Sequence, residues 1–115
     1  MLYLFESELP ENKSVFFSLT YIYGLGKYNS DLVCKKIGFS KNLKIKDLSK
    51  EQIDLLAKTI ESLNLNLGSD LKKFKLLIAK QLLTIKSNRG FRRHKGLPVR
   101  GQRTHTNART ARKKR

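Results

Sequence analysis

The chain has no tryptophan, one cysteine, one methionine and two prolines among 115 residues. A single cysteine, Cys34, excludes an intramolecular disulfide and a cysteine-rich zinc site. Nothing beside it marks a nucleophile's setting, so it reads as a small buried residue in a helix. No run approaches the roughly 18 consecutive apolar residues that span a bilayer. The start of the chain has no arginine and carries Glu6, Glu8 and Glu11, unlike an arginine-rich, acid-poor transit peptide. No acid follows Asp70, and no arginine precedes Arg89. The last 45 residues therefore cannot form a histidine–carboxylate pair for acid–base work.

What is present is positive charge, unevenly placed. The formal net charge is +16. Residues 1–70 hold all nine acids and nine lysines, so they are formally neutral; residues 71–115 hold eight lysines and eight arginines and carry the whole excess. This polarity points to a neutral folded part joined to a part that binds a polyanion. Among polyanions the membrane fits worst, because the basic end lacks the apolar stripe of an interfacial helix.

Apolar periodicity predicts four helices. The first lies in "ENKSVFFSLTYIY", with Val15, Leu19, Ile22 and Tyr23 at helical spacing and Gly24 as its stop. The second covers 27–37 and ends at Gly38. The third starts after Ser49, where Ser49 and Gln52 fit a capping box, and carries Ile53, Leu56, Ile60 and Leu63. The fourth covers about 71–86, with Leu71, Phe74, Leu77, Ile78, Leu82 and Ile85 on one face. "MLYLFESELP" reads as an extended arm and "KNLKIKDL" as a linker. After Ile85 the periodicity collapses into a segment punctuated by Gly90, Gly96, Pro98 and Gly101, which is expected to be extended and to become ordered on its partner. The expected fold is all-α: a four-helix N-terminal body over 1–86 with a helix–two-turns–helix (helix-hairpin-helix-like) arrangement, and a long extended basic C-terminal tail over 87–115.

Two constellations carry binding chemistry. In "YIYGLGKYNSDLV" Gly24 and Gly26 flank an apolar residue between two helices, permitting a tight turn and close backbone approach. The amide groups opening the second helix then face outward, where a phosphate can sit beside Lys27; a plain helix connection without ligand is the alternative. A nucleotide-binding P-loop does not fit, because Tyr21 and Tyr28 stand where that motif needs Gly and Ser or Thr. In the tail, Arg89, Arg92, Arg93, Lys95, Arg100, Arg103, Arg109, Arg112, Lys113, Lys114 and Arg115 alternate with small and polar residues. Guanidinium groups grip phosphate bidentately and stack on bases. Gln102, Thr104, Thr106 and Asn107 add short-range partners, and Gly101 lets backbone lie close to a nucleic acid; a solvated tail or localisation signal is the alternative. His94 and His105 sit among cations with no acid or cysteine nearby, so RNA contact is expected rather than catalysis or metal ligation. The lysines of the fourth helix (Lys72, Lys73, Lys75, Lys80, Lys86) read as a solvated face, with a phosphate-facing surface as the alternative.

"RGFRRHKGLPVRGQRTHTNARTAR" closely resembles the signature of the thirteenth small-subunit ribosomal protein family, with counterparts at Arg89–Gly90, Gly96–Thr104 and Thr106–Thr110. "LTYIYGLGK" (19–27) is similar to its second hallmark and "KIKDLSKEQID" (44–54) to a third. The resemblance runs over essentially the whole chain. It implies a structural constituent of the small subunit, bound to rRNA in the head. Implied partners are the nineteenth small-subunit ribosomal protein, large-subunit components at intersubunit bridges, and nearby transfer RNA, reached by Lys113, Lys114 and Arg115. No enzyme activity, cofactor, metal or membrane partner is implied. Many bacterial members continue past this point with a Gly-Pro-Lys stretch, whereas this sequence stops at "ARTARKKR". That ending, the start "MLYL" and the lysine- and asparagine-rich, alanine-poor usage resemble mitochondrial members, so an organelle-encoded mitochondrial protein with no import sequence is expected; plastid or bacterial cytoplasm is the alternative. Two rival readings use the same helical module: a DNA-repair glycosylase, which lacks its catalytic domain here, and a free-standing helix-hairpin-helix DNA-binding module.

Overall fold

The computed structural model describes residues 2–113. The chain divides into two compact units, Met1–Lys72 and Lys73–Arg115.

The first unit opens with an antiparallel hairpin, β1 (Leu2–Leu4) and β2 (Ser7–Leu9), in register Leu2↔Leu9 and Leu4↔Ser7. The expected arm is thus a small sheet, and the all-α expectation is corrected to a mostly helical chain with one hairpin. The alternation seen in the sequence is real: Leu2, Leu4 and Leu9 turn inward while Tyr3 is exposed. The two-residue turn puts Phe5 (φ 47°) and Glu6 (φ 62°) in the left-handed region, the geometry that matches strand twist.

Four helical pieces follow: α1 (Val15–Leu19), α2 (Lys27–Ile37), a 3-10 turn at Ile45–Asp47, and α3 (Lys50–Ser62). The helix α2 has the span expected from sequence and stops where Gly38 takes a left-handed φ of 83°. The α3 start is the capping box: Ser49 Oγ accepts from Gln52 N–H at 3.3 Å, and Gln52 Oε1 accepts from Ser49 N–H at 3.0 Å. The linker is tied down by Val15 N–H donating to Leu43 O at 2.8 Å. Leu9, Val15, Leu19, Ile22, Leu25, Val33, Cys34, Ile45, Leu56 and Ile60 form one buried cluster. Burying each such large side chain contributes about 1.5–3 kcal/mol.

The helix α4 (Gly68–Thr84) begins in the first unit and continues into the second. Glu6 anchors its start, accepting from Ser69 Oγ at 2.8 Å and from Ser69 N–H at 3.2 Å. Of its expected apolar face only Leu71 and Leu82 are half-buried, and Phe74, Leu77, Ile78 and Ile85 are exposed.

The second unit corrects the expectation of a wholly extended tail. It contains α5 (Asn88–His94) and α6 (Arg109–Lys113), separated by irregular backbone. Ser87 caps α5 by accepting from Gly90 N–H at 3.1 Å. Gly96, at φ 72°, stops it. Leu97 N–H reaches Arg92 O at 2.8 Å and Gly96 N–H reaches Arg93 O at 3.3 Å, the paired bonds of a Schellman motif. Gly90 is buried against the end of α4, where a Cβ would stand 2.6 Å from Leu82 O. Its close approach thus serves this helix crossing.

Candidate nucleic-acid interface

The α1–α2 connection is built from two successive turns. Thr20, Tyr21 and Ile22 N–H groups bond to Phe17, Ser18 and Leu19 carbonyls, and Leu25 N–H then bonds to Ile22 O at 3.1 Å. Ile22 and Leu25 point into the core and fix the path of the turns. Gly24 has φ 109°, and a Cβ there would lie 2.9 Å from both Asn66 O and Leu67 Cδ2. Gly24 therefore shapes the turn against the segment before α4. Gly26 differs: it is the extended N-cap of α2, with open space around a Cβ.

The first helical bond of α2 comes from Ser30 N–H to Gly26 O at 3.0 Å. The amides of Lys27, Tyr28 and Asn29 thus have no intrahelical acceptor. The first turn contains no acid and no side-chain cap. Lys27 is exposed beside these amides, so backbone dipole and ammonium favour the same anion. Tyr28, 78% exposed, is a candidate that sequence reasoning missed. The available signal was an aromatic, a residue type that can stack on bases, directly after Lys27 at a helix start.

In the second unit Arg92 is half-buried, and its Nε donates to Pro98 O at 2.7 Å. That bond ties the backbone after α5 to the helix. Arg89, Arg93, Arg100, Gln102 and Asn107 line one cleft of about 670 Å³, with Leu97, Pro98 and Val99 along its wall. The other expected tail residues — His94, Lys95, Gly101, Arg103, Thr104, His105, Thr106, Arg109, Arg112 and Lys113 — are exposed and lie outside the cleft lining. Lys114 and Arg115 fall outside the described residues. Thr106, a β-branched residue at φ 62°, donates its hydroxyl to His105 O at 2.6 Å. The unit contains no Asp or Glu, so no acidic side chain of its own pairs with its guanidinium groups.

Cys34 is buried, and burial together with the charge of Asp31 pushes its thiol above the ordinary value. Among the described residues no group of three His, Cys, Asp or Glu is placed to hold a metal ion. No described helix is long and apolar enough to cross a membrane.

The family model described as "Ribosomal protein S13/S18" matches residues 3–110, a span that takes in most of the hairpin and of the cleft lining. The chain belongs to this family. Among its relatives, the small ribosomal subunit protein uS13m of Marchantia polymorpha is 44% identical over 113 residues, covering 98% of this chain and 93% of that protein. The small ribosomal subunit protein uS13c of Gracilaria tenuistipitata var. liui is 43% identical over 105 residues, covering 91% and 82%. The resemblance read from the sequence is borne out. The reading as a free-standing DNA-binding module gains no support from these matches.

Proposed function

We propose that this chain is a structural constituent of the small subunit of an organellar ribosome and that it binds rRNA in the subunit head. One observation carries the RNA-binding part: the whole +16 excess sits in 45 acid-free residues of a ribosomal-protein chain. Division of labour follows, with 1–86 as a helical body and 87–115 as the principal rRNA-binding segment. In the body, the open backbone at Gly26, the α2 amides and Lys27 receive a phosphate, and Gly24 holds the turn that presents them. In the tail, Arg89, Arg93, Lys95, Arg100, Arg103, Arg109 and Arg112 meet phosphates, while His94, Gly101, Gln102, Thr104, His105, Thr106 and Asn107 approach sugars and bases. Arg92 serves first by positioning Pro98. The role is structural rather than catalytic.

The finer reading keeps the partners that the family resemblance implies. The body contributes to bridges with the large subunit, the nineteenth small-subunit protein is its neighbour, and the last residues from Lys113 run near transfer RNA. A mitochondrial ribosome is the preferred setting, supported by the Marchantia relative and by 17 lysines and 7 asparagines against 4 alanines.

Sedimentation tests both levels. The tagged chain, expressed in its own cells, is expected to travel with small subunits and whole ribosomes in a sucrose gradient of purified mitochondria. A chain that stays at the top of the gradient, free of rRNA, overturns the ribosomal reading. One that travels with plastid ribosomes overturns only the mitochondrial one.

A further inference from the structure

The cleft of the second unit is larger and more varied than a phosphate site requires. Arg89 and Arg93 stand one turn apart on the same face of α5. Arg100 joins them from the irregular segment, held there by the Gly96 stop and the Arg92–Pro98 bond. Three guanidinium groups thus line one concavity in a unit without a single Asp or Glu. Like charges so gathered repel, and an anion relieves the repulsion. A phosphate occupies only part of about 670 Å³, which lies in the ordinary size range of small-ligand sites. One wall is apolar: Leu97 is half-buried, Pro98 is buried, and Val99 is exposed beside them. Thr110 and Ala111 of α6 also line it, and two amide side chains add hydrogen-bonding groups. Gln102 is fixed beside Arg100 because its Oε1 accepts from Arg100 N–H at 3.2 Å, and its NH₂ remains as a donor. Asn107 supplies both a donor and an acceptor.

Cations, an apolar wall and paired amides together match one splayed-out nucleotide, the form in which proteins read single-stranded RNA. We infer that this cleft holds one unstacked rRNA nucleotide, its phosphate among Arg89, Arg93 and Arg100 and its base against the wall of Val99 and Pro98, read by Gln102 and Asn107. The inference rests on the rRNA-binding reading above and goes further by assigning base readout to this cleft.

The full chain and its variants are bound to a transcript of the small-subunit head RNA. Affinity is read by filter binding across salt, and base accessibility by dimethyl sulfate and carbodiimide modification. With the unaltered chain, one unpaired nucleotide is shielded at its base edge. Q102A with N107A is expected to restore reactivity at that nucleotide alone, with a loss of affinity of about 3–10-fold. R89Q with R93Q is expected to expose the same nucleotide, weaken binding by more than about 10-fold and flatten the salt slope by about 1. K95Q with R103Q removes the same charge outside the cleft and is expected to leave that nucleotide shielded. All six positions are exposed, so the fold survives these changes. If no nucleotide responds to the cleft variants while the transcript still binds, the cleft inference is wrong and the rRNA reading stands. Equal effects from R89Q with R93Q and from K95Q with R103Q, without selective exposure, reduce the cleft to general charge and also overturn it. If the unaltered chain does not bind the transcript, the rRNA reading fails and the cleft inference with it.

Discussion

At Gly24 a methyl group would meet the Asn66 carbonyl at 2.9 Å in a backbone already at φ 109°; at Gly26 it would meet nothing within 4 Å. The two glycines of one short motif therefore have different sensitivities. G24A is expected to lower stability by about 1–2 kcal/mol from the left-handed backbone alone, with more from the clash. A thermal melt followed by circular dichroism measures it, and an unchanged midpoint would refute the assigned contact. G26V is expected to melt close to the unaltered protein yet bind head RNA more weakly, because side-chain bulk intrudes where a phosphate approaches; K27A should cost less, as one contact among many. The motif and its place between two helices were readable in the sequence. The difference between its glycines was not, because the group that confines Gly24 comes from Asn66, far along the chain. Cys34 gives a second test at this scale. Its folded-state pKa is raised by burial, and by Asp31 as the lesser cause, so the folded chain holds the thiol proton more tightly than the unfolded chain does. The thiol contributes its stability in full below the unfolded value, about 8.5, and that contribution is lost as pH rises toward the higher folded value. Urea midpoints at pH 7.5 and 9.5 should fall more in the unaltered protein than in C34A. Equal falls would mean the thiol is not burdened by its surroundings.

Elements were predictable where local chemistry alone defines them. The α3 capping box and the α2 span followed from side-chain identity at each end, since Ser49–Gln52 and Gly38 act within a few residues of themselves. The helix α5 was hidden because "NRGFRRH" has no apolar stripe. Its signals were a capping serine before it and a glycine after it, and what secures it is contact with Leu82 backbone at Gly90 and the Arg92–Pro98 bond. The hairpin was hidden because three-residue strands are too short to separate from an extended arm, and because Phe5 and Glu6 are not the usual turn residues. These origins predict opposite consequences. S49A removes a cap worth about 1 kcal/mol and should lower the melting midpoint without touching RNA binding. G90A places a Cβ 2.6 Å from Leu82 O, so α5 must move away from α4. Head-RNA affinity should fall while the melt of the first unit holds, since the core cluster contains no residue beyond Ile60. Loss of affinity in S49A, or retention in G90A, would contradict these assignments.

Across the described residues, the main apolar cluster and the surplus charge occupy separate stretches of chain. The buried cluster runs from Leu9 to Ile60, whereas every surplus positive charge lies beyond Asp70. This segregation was visible in composition, because acids and arginines never share a segment. Its consequence is that stability and RNA affinity are separable by truncation. Ending the chain after Ser87 removes α5, α6 and the cleft but none of the core cluster. The truncated protein should keep a cooperative helical melt. Eleven basic side chains are lost from Arg89 onward. If roughly half of them meet phosphates, they alone should contribute roughly −3.5 to −4.5 to the full chain's slope of log K against log salt on head-domain RNA. The truncated chain should show a much shallower slope, left to Lys27, the α2 amides and the lysines of α4. Arginines that reached only protein neighbours would leave the two slopes alike, because no counterions would be released from RNA when they bind. A parallel pair of slopes would therefore place the tail away from rRNA, even if the full chain still entered small subunits through its body.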